Sequence, residues 1–351
     1  MKLQTVLSSL CLLALSAHAA PSKRSDPPPT DIQILNYALT LEHLENAFYS
    51  GALAKFDDAA FSKANLNRAL FEQIASHEAA HVKFLTTALG DQATKPCNYS
   101  FPYTDPTSFS ALSAVLEGVG VSAYLGAAAL IQNKDYLTAA GAILTTESRH
   151  AAWVSSSENN NLPWSGPFDT PLGLNDVYSL AAPFITSCPS TNPALPVKAF
   201  PALNVTGGAG SINPGSTISV TFANATTAAG SGQLFLAFFS GLSTTFAPYD
   251  ASKNTVTVPA GLAGTVYAVA TSVSNGTVTD DNTLAGPIIL SNVGGSGNAG
   301  GGAGGSGHSS PSNSASTTGS ASNSTNGALG MGAPLTGVAV SLAGLLAALA
   351  F

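Results

Sequence analysis

The sequence predicts a multidomain protein: an antiparallel four-helix bundle over residues 30–190, an all-β sandwich over 195–292 and a disordered stalk over 293–326. Three observations predict it. Apolar residues recur at helical spacing from Thr30 to about Ser155, and at period two in short runs after Pro193. From 294 to 325 the chain is almost entirely Gly, Ser, Asn, Ala and Thr, too polar to bury a core that would offset its chain entropy. A chain of 351 residues is long enough for two or three domains of roughly 100–200 residues each.

Each helix has its own start or stop signal. Pro27-Pro28-Pro29 ends at Thr30, and Gln33 three residues on completes a capping box that opens a first helix to about Leu53. The second is expected from Ser62 to Leu89, stopped by Gly90. The third begins near Ser108, after Pro106, and reaches Ile131, and Asn133 caps a fourth from Lys134 to Ser155. All four are about 30 Å long. The loop holding Cys97, Pro102 and Pro106 can cross between bundle ends. Beyond it, Thr217–Phe222, Gln233–Phe239, Thr255–Val258, Thr265–Ser272 and Pro287–Leu290 read as strands parted by Gly, Pro and Asn. Together they predict an immunoglobulin-like or fibronectin-like sandwich. This module has no Glu and no His, so a spacer or adhesive role is expected of it.

The two ends read as addresses. Lys2, the apolar run Val6 to Leu15 and Ala17-His18-Ala19 form a secretory signal, residues 1–19, followed by a pro-segment or linker, 20–29, with a dibasic Lys23-Arg24 pair. Residues 327–351 read as a GPI-attachment signal with Asn326 as acceptor, implying a lipid anchor in the outer leaflet or attachment to the cell wall. Secretion removes Cys11 and leaves Cys97 and Cys188 to pair in an oxidising compartment. Three cysteines without a C-x-x-C pair exclude zinc ribbons and iron–sulfur clusters. Asn98, Asn204, Asn224, Asn275 and Asn323 each open an N-x-[ST] glycosylation triplet. Charged residues are only 9% of the chain and its net charge is −7, with no basic run to meet a phosphate backbone, which excludes nucleic acid as a partner.

The chemistry is concentrated in the helices. All seven Glu (Glu42, Glu45, Glu72, Glu78, Glu117, Glu147, Glu158) lie within the helical module, and so do four of six His, namely His43, His77, His81 and His150. Their spacing repeats: Glu42 with Tyr49 seven residues on, then Glu78-x-x-His81; Glu117 with Tyr124 seven residues on, then Glu147-x-x-His150. Seven residues is nearly two turns, and three places a carboxylate and an imidazole on one face. Four carboxylates and two imidazoles suit two divalent ions about 3.5–4 Å apart, and oxygen with imidazole donors suits iron or manganese. Glu45, one turn from Glu42, could replace it but lacks the tyrosine. Tyr49 and Tyr124 are either core aromatics or functional groups whose hydroxyls hold the carboxylates. His43 and His77 read as supporting donors or surface residues, and Glu72 and Glu158 as solvated.

This constellation resembles the ferritin-like di-iron carboxylate superfamily. More narrowly, LEHLENAFY at 41–49 with HEAAHVKFL at 77–85 is similar to the secreted ferritin-like domain proteins of fungi, which include stress-response and late sexual development proteins and are akin to plant desiccation-related proteins. The resemblance covers about residues 30–160. It implies two iron or manganese ions and ferroxidase, peroxidase or oxidase chemistry on oxygen or peroxide. Two other readings stand beside it: a non-catalytic cell-wall protein with a vestigial site, and a zinc metalloprotease, because His77-Glu78-Ala79-Ala80-His81 is literally H-E-x-x-H. The protease reading leaves Glu42, Glu117, Glu147 and His150 without a role, and Phe84 stands where the extended metzincin motif needs Gly.

Overall fold

The computed structural model of the chain describes residues 28–206, 212–230, 232–294 and 339–340. The expected signal, the Lys23-Arg24 pair, nearly all of the stalk, Asn323 and Asn326 lie outside them.

Helix α1 (Asp31–Lys55) opens on the capping box: the Thr30 hydroxyl accepts from the Gln33 amide at 3.3 Å, and Gln33 Oε1 accepts from the Thr30 amide at 2.9 Å. The expected helix over 62–89 is divided. Asp57 caps a short α2 (Asp58–Lys63), Asn65 turns the chain at φ 58°, and Asn67 caps α3 (Arg68–Leu89). Asparagine visits this left-handed region more readily than most residues. Glu158, read as solvated, instead accepts from the Asn67 amide at 2.8 Å at the head of α3. Helix α3 ends at Gly90, φ 56°. Helix α4 (Pro106–Ala128) starts two residues earlier than expected, with Asp105 as cap and Pro106 in the first turn, and stops three residues short of Ile131. Helix α5 (Lys134–Trp153) is capped by Asn133 and continues as a π-helical turn, Val154–Glu158.

Packing follows the caps. Leu35 and Leu39, early in α1, meet Leu85 and Leu89, late in α3, while Tyr49 meets Phe71 at the other end, so α1 and α3 run antiparallel. The end of α4 (Tyr124, Ala127) meets the start of α5 (Ala140, Ile143) in the same sense. Asp31 ties the two hairpins by accepting from the amides of Gln132 and Asn133, both at 2.8 Å. Helix α4 is apolar nearly all round because α1, α5, a further helix α6 (Leu174–Ala181) and the β-rich region all cover it. Strands β1 (Asn98–Tyr99) and β2 (Ile185–Ser187) pair antiparallel, and the Cys97–Cys188 disulfide closes the same clamp.

The described residues of the β-rich region form two sheets. One, ordered β6–β5–β8–β9–β10, comprises Ser243–Pro248, Phe235–Ser240, Gly264–Thr271, Thr283–Val293 and Ala339–Val340. The other, β3–β4–β7, comprises Leu203–Thr206, Thr217–Phe222 and Thr255–Thr257. A five-residue helix, α7 (Ala225–Ala229), follows β4. Strands β3 and β6 were not expected, and β9 is much longer than Pro287–Leu290. Leu236, Phe238, Val266, Ala268 and Leu290 meet Ile218, Val220 and Val256 in one core between the sheets. The opposite face of the larger sheet turns Tyr267 and Ile289 onto the helices. Ser122 donates to the Tyr267 hydroxyl, which donates to the Gly118 carbonyl, each at 3.1 Å.

A strap, residues 159–173, binds the two regions. Ser165 Oγ accepts from the Thr265 amide, Thr170 Oγ1 from the Gly241 amide and Asn161 Oδ1 from Asn292, each at 2.8 Å. Its end crosses α4 so closely that a Cβ on Gly126 would lie 1.8 Å from the Leu172 carbonyl oxygen. Only glycine fits there.

Candidate metal centre

Each hairpin carries half of the cluster. Helix α1 supplies Glu42, α3 supplies Glu78 and His81, α4 supplies Glu117, and α5 supplies Glu147 and His150. All four carboxylates have no solvent exposure. Their ligand-capable atoms fall into two groups, Glu42–Glu78–His81–Glu147 and Glu78–Glu117–Glu147–His150, each with its atoms within 4.8 Å of one another. Glu78 and Glu147 belong to both groups, which is the position of a bridging carboxylate.

The imidazoles face inward through Nδ1. His81 Nδ1 lies 3.2 Å from each of Glu42 Oε2, Glu78 Oε2 and Glu147 Oε1. His150 Nδ1 lies 3.2 Å from Glu78 Oε1 and 3.3 Å from Glu117 Oε2. The tyrosines cross between hairpins. Tyr124 on α4 donates to Glu42 Oε1 at 2.5 Å, and Tyr49 on α1 donates to Glu117 Oε1 while sharing a 2.6 Å hydrogen bond with Ser113. Each tyrosine therefore occupies the outer oxygen of a carboxylate and leaves Oε2 turned to the cluster.

Among the described residues, six buried atoms make ion-pair contacts at most and no hydrogen bond: Glu42 Oε2, Glu78 Oε1, Glu117 Oε2, both oxygens of Glu147, and His150 Nδ1. Unpartnered buried carboxylates cost several kcal/mol apiece, so they occur where something charged compensates them. With neutral imidazoles, two divalent cations would balance the four carboxylates, and the donor set fits iron or manganese. Without ions the groups share protons. Burial raises Glu42 to about 7 against the opposing pull of His81, and burial with the charges of Glu78 and Glu117 pushes Glu147 far up. Burial also works to raise Glu78, but the ion pair with His150 and the hydrogen bond with His81 outweigh it and hold Glu78 at about 2. Burial would lower both imidazoles, yet their carboxylate partners lift His81 to about 12 and His150 to about 9.

Three neighbours surround the cluster. Glu45 is 5% exposed, and burial followed by the charge of Glu147 pushes it far up. A Cβ on Gly120 would sit 3.1 Å from Glu45 Oε1 and 3.3 Å from Glu147 Oε2, so this glycine makes room for both. The one-turn spacing from Glu42 was the only sequence signal that Glu45 shares the interior. His77 stacks on His150 and its Nδ1 lies 2.8 Å from His150 Nε2, with Gln73 at 3.0 Å on its other nitrogen. It belongs to neither ligand group, so the two histidines of HEAAH do not meet on one ion. His43 is buried and bonds the Thr94 carbonyl at 3.1 Å. Of the glycosylation triplets, Asn98, Asn224 and Asn275 are exposed and Asn204 is partly so.

Residues 30–160 match the ferritin-like domain family. The chain is also 31% identical over 181 residues to Protein rds1 of Schizosaccharomyces pombe (strain 972 / ATCC 24843), a match covering 50% of this chain and 44% of that protein. The shared stretch is thus less than half of the relative's length. These matches agree with the resemblance carried by LEHLENAFY and HEAAHVKFL: the helical region is a ferritin-like domain with a buried Glu/His cluster that could hold metal.

Proposed function

We propose that this ferritin-like domain holds two iron or manganese ions and uses them to oxidise ferrous iron or consume peroxide on the outer face of the cell. The observation that carries the reading is the pair of buried ligand groups sharing Glu78 and Glu147, with six buried polar atoms among them that make no hydrogen bond. Glu78 and Glu147 would bridge, with Glu42 and His81 completing one side and Glu117 and His150 the other. Such a pair of ions supplies one-electron steps between divalent and trivalent states. The chain's own part is positional. Tyr49 and Tyr124 fix the two terminal carboxylates, His77 bonds the outer nitrogen of His150 so that Nδ1 stays turned inward, and the apolar bundle excludes bulk water.

The placement outside the cell rests on the signal and anchor patterns at the chain's ends, and the Cys97–Cys188 disulfide suits an oxidising compartment. In this reading the β-rich region is an immunoglobulin-like spacer on a disordered, GPI-anchored stalk in the cell wall, with glycans on its triplets. The test compares ferrous oxidation and peroxide consumption by the purified ectodomain with those of a Glu78→Ala variant whose helical content is unchanged. Wild-type turnover lost in the variant supports the oxidoreductase. Equal rates refute it and leave a structural wall protein with a vestigial site.

A further inference from the structure

A cavity of about 1050 Å³ opens at the junction of the helical and β-rich regions, just above the roughly 300–1,000 Å³ usual for ligand pockets. None of the six cluster residues lines it. Its walls come from the end of α4, the strap, the start of α6, the β5–β6 turn and the loop over 275–282. Three properties of the lining restrict what fits.

No Lys, Arg or His is among the described lining residues, whereas Asp176 and Asp280 are, so phosphate, sulfate and other anions find no counter-charge. Polar groups are spread along the lining, including Thr170, Ser243 and Thr244, and a purely apolar ligand would strip water from them without replacing its hydrogen bonds. Yet large apolar side chains are held in the open at the cleft: Phe168 is 53% and Leu242 38% exposed. The backbone beneath them is fixed by the hydrogen bonds of Ser165 and Thr170 to the sheet, so these side chains stand on a rigid support.

A ligand that is uncharged, carries many hydroxyls and also presents flat C–H faces satisfies all three conditions. We propose that this cleft binds a neutral oligosaccharide, with a ring face stacking on Phe168 and hydroxyls bonding to Asp176. Asp176 already accepts from the Gly173 amide at 3.2 Å, and burial followed by the charge of Asp280 raises it to about 7, so near neutral pH its carboxyl can donate as well as accept. Such a ligand has two sources: a separate polysaccharide, or the chain's own glycan on Asn275, an exposed lining residue that opens an N-x-[ST] triplet.

The experiment titrates the protein and its Asn275→Gln variant calorimetrically with hexasaccharides of glucose, mannose and N-acetylglucosamine, and with a long-chain fatty alcohol as an apolar probe. Saturable binding of a hexasaccharide by Asn275→Gln is expected, weakened about tenfold or more by adding Phe168→Ala or Asp176→Asn. If the glycosylated protein binds equally well, the ligand is a separate polysaccharide. If only Asn275→Gln binds, the chain's own glycan fills the cleft. Failure of Asn275→Gln to bind any hexasaccharide, affinity unchanged by both cleft substitutions, or preference for the fatty alcohol overturns the proposal.

Discussion

Replacing Glu147 by Gln separates what the cluster does for the fold from what it does for metal. Glu147 is fully buried, neither oxygen makes a hydrogen bond although His81 Nδ1 lies 3.2 Å from Oε1, and burial and the neighbouring carboxylates push it far above its ordinary 4.5. In metal-free protein at pH 7 it must either stay ionised against that repulsion or take up a proton, which for a group of ordinary value 4.5 costs about 3 kcal/mol. Glutamine is neutral at every pH and nearly isosteric, so in the presence of chelator Glu147→Gln should melt higher by up to about 6–12 °C. The sign with pH is fixed by linkage. A carboxyl raised in the folded state contributes its stability below the unfolded value and loses it as pH rises, so the variant's advantage should vanish as pH falls toward 4.5. With ferrous or manganous ion at about a hundred times its Kd, wild type gains about 2.7 kcal/mol and the variant, short of a bridging ligand, gains little. Thermal melts in chelator and in metal, at pH 4.5 and 7, check this. A variant that melts below wild type in chelator at pH 7 would refute the reasoning.

The other predictions follow from single contacts. Tyr124→Phe removes the 2.5 Å hydrogen bond to Glu42 and should weaken metal binding about tenfold in a competitive chelator titration, with the bundle still folded. Gly126→Ala places a methyl where the Leu172 carbonyl passes and should cost about 3 kcal/mol with faster proteolysis of residues 159–173, whereas Gly141→Ala, with nothing within 4 Å, should stabilise α5 by up to about 1 kcal/mol. Asp176, raised from 3.8 to about 7, contributes stability that declines as pH climbs through that window, so chemical denaturation of Asp176→Asn should show a flatter pH profile between 4 and 7.

What could be read from the sequence was local. Thr30 with Gln33, Asn133 and Gly90 mark helix ends because a cap is made by residues three or four apart, and Glu78-x-x-His81 and Glu147-x-x-His150 share faces for the same reason. The break at Asn65 has no Pro or Gly, only the cap residues Asp57 and Asn67 on either side, so the apolar period ran through it. Spacing placed each tyrosine on its own helix face but could not say which carboxylate lies across the bundle, and the crossed pairing of Tyr49 with Glu117 and Tyr124 with Glu42 is set by tertiary packing. Strand β6, Ser243–Pro248, lies at a sheet edge with only Ala247 buried, and so has no period-two pattern to find. The strap is recognisable only when the sheet that receives its hydrogen bonds is in place.

Anomalous diffraction from crystals of the chain grown with manganous or ferrous salt tests the centre most directly. Two peaks about 3.5–4 Å apart, between Glu78 and Glu147 and flanked by His81 and His150, are the predicted result. Density for water alone between these carboxylates, or metal bound elsewhere on the chain, would contradict it.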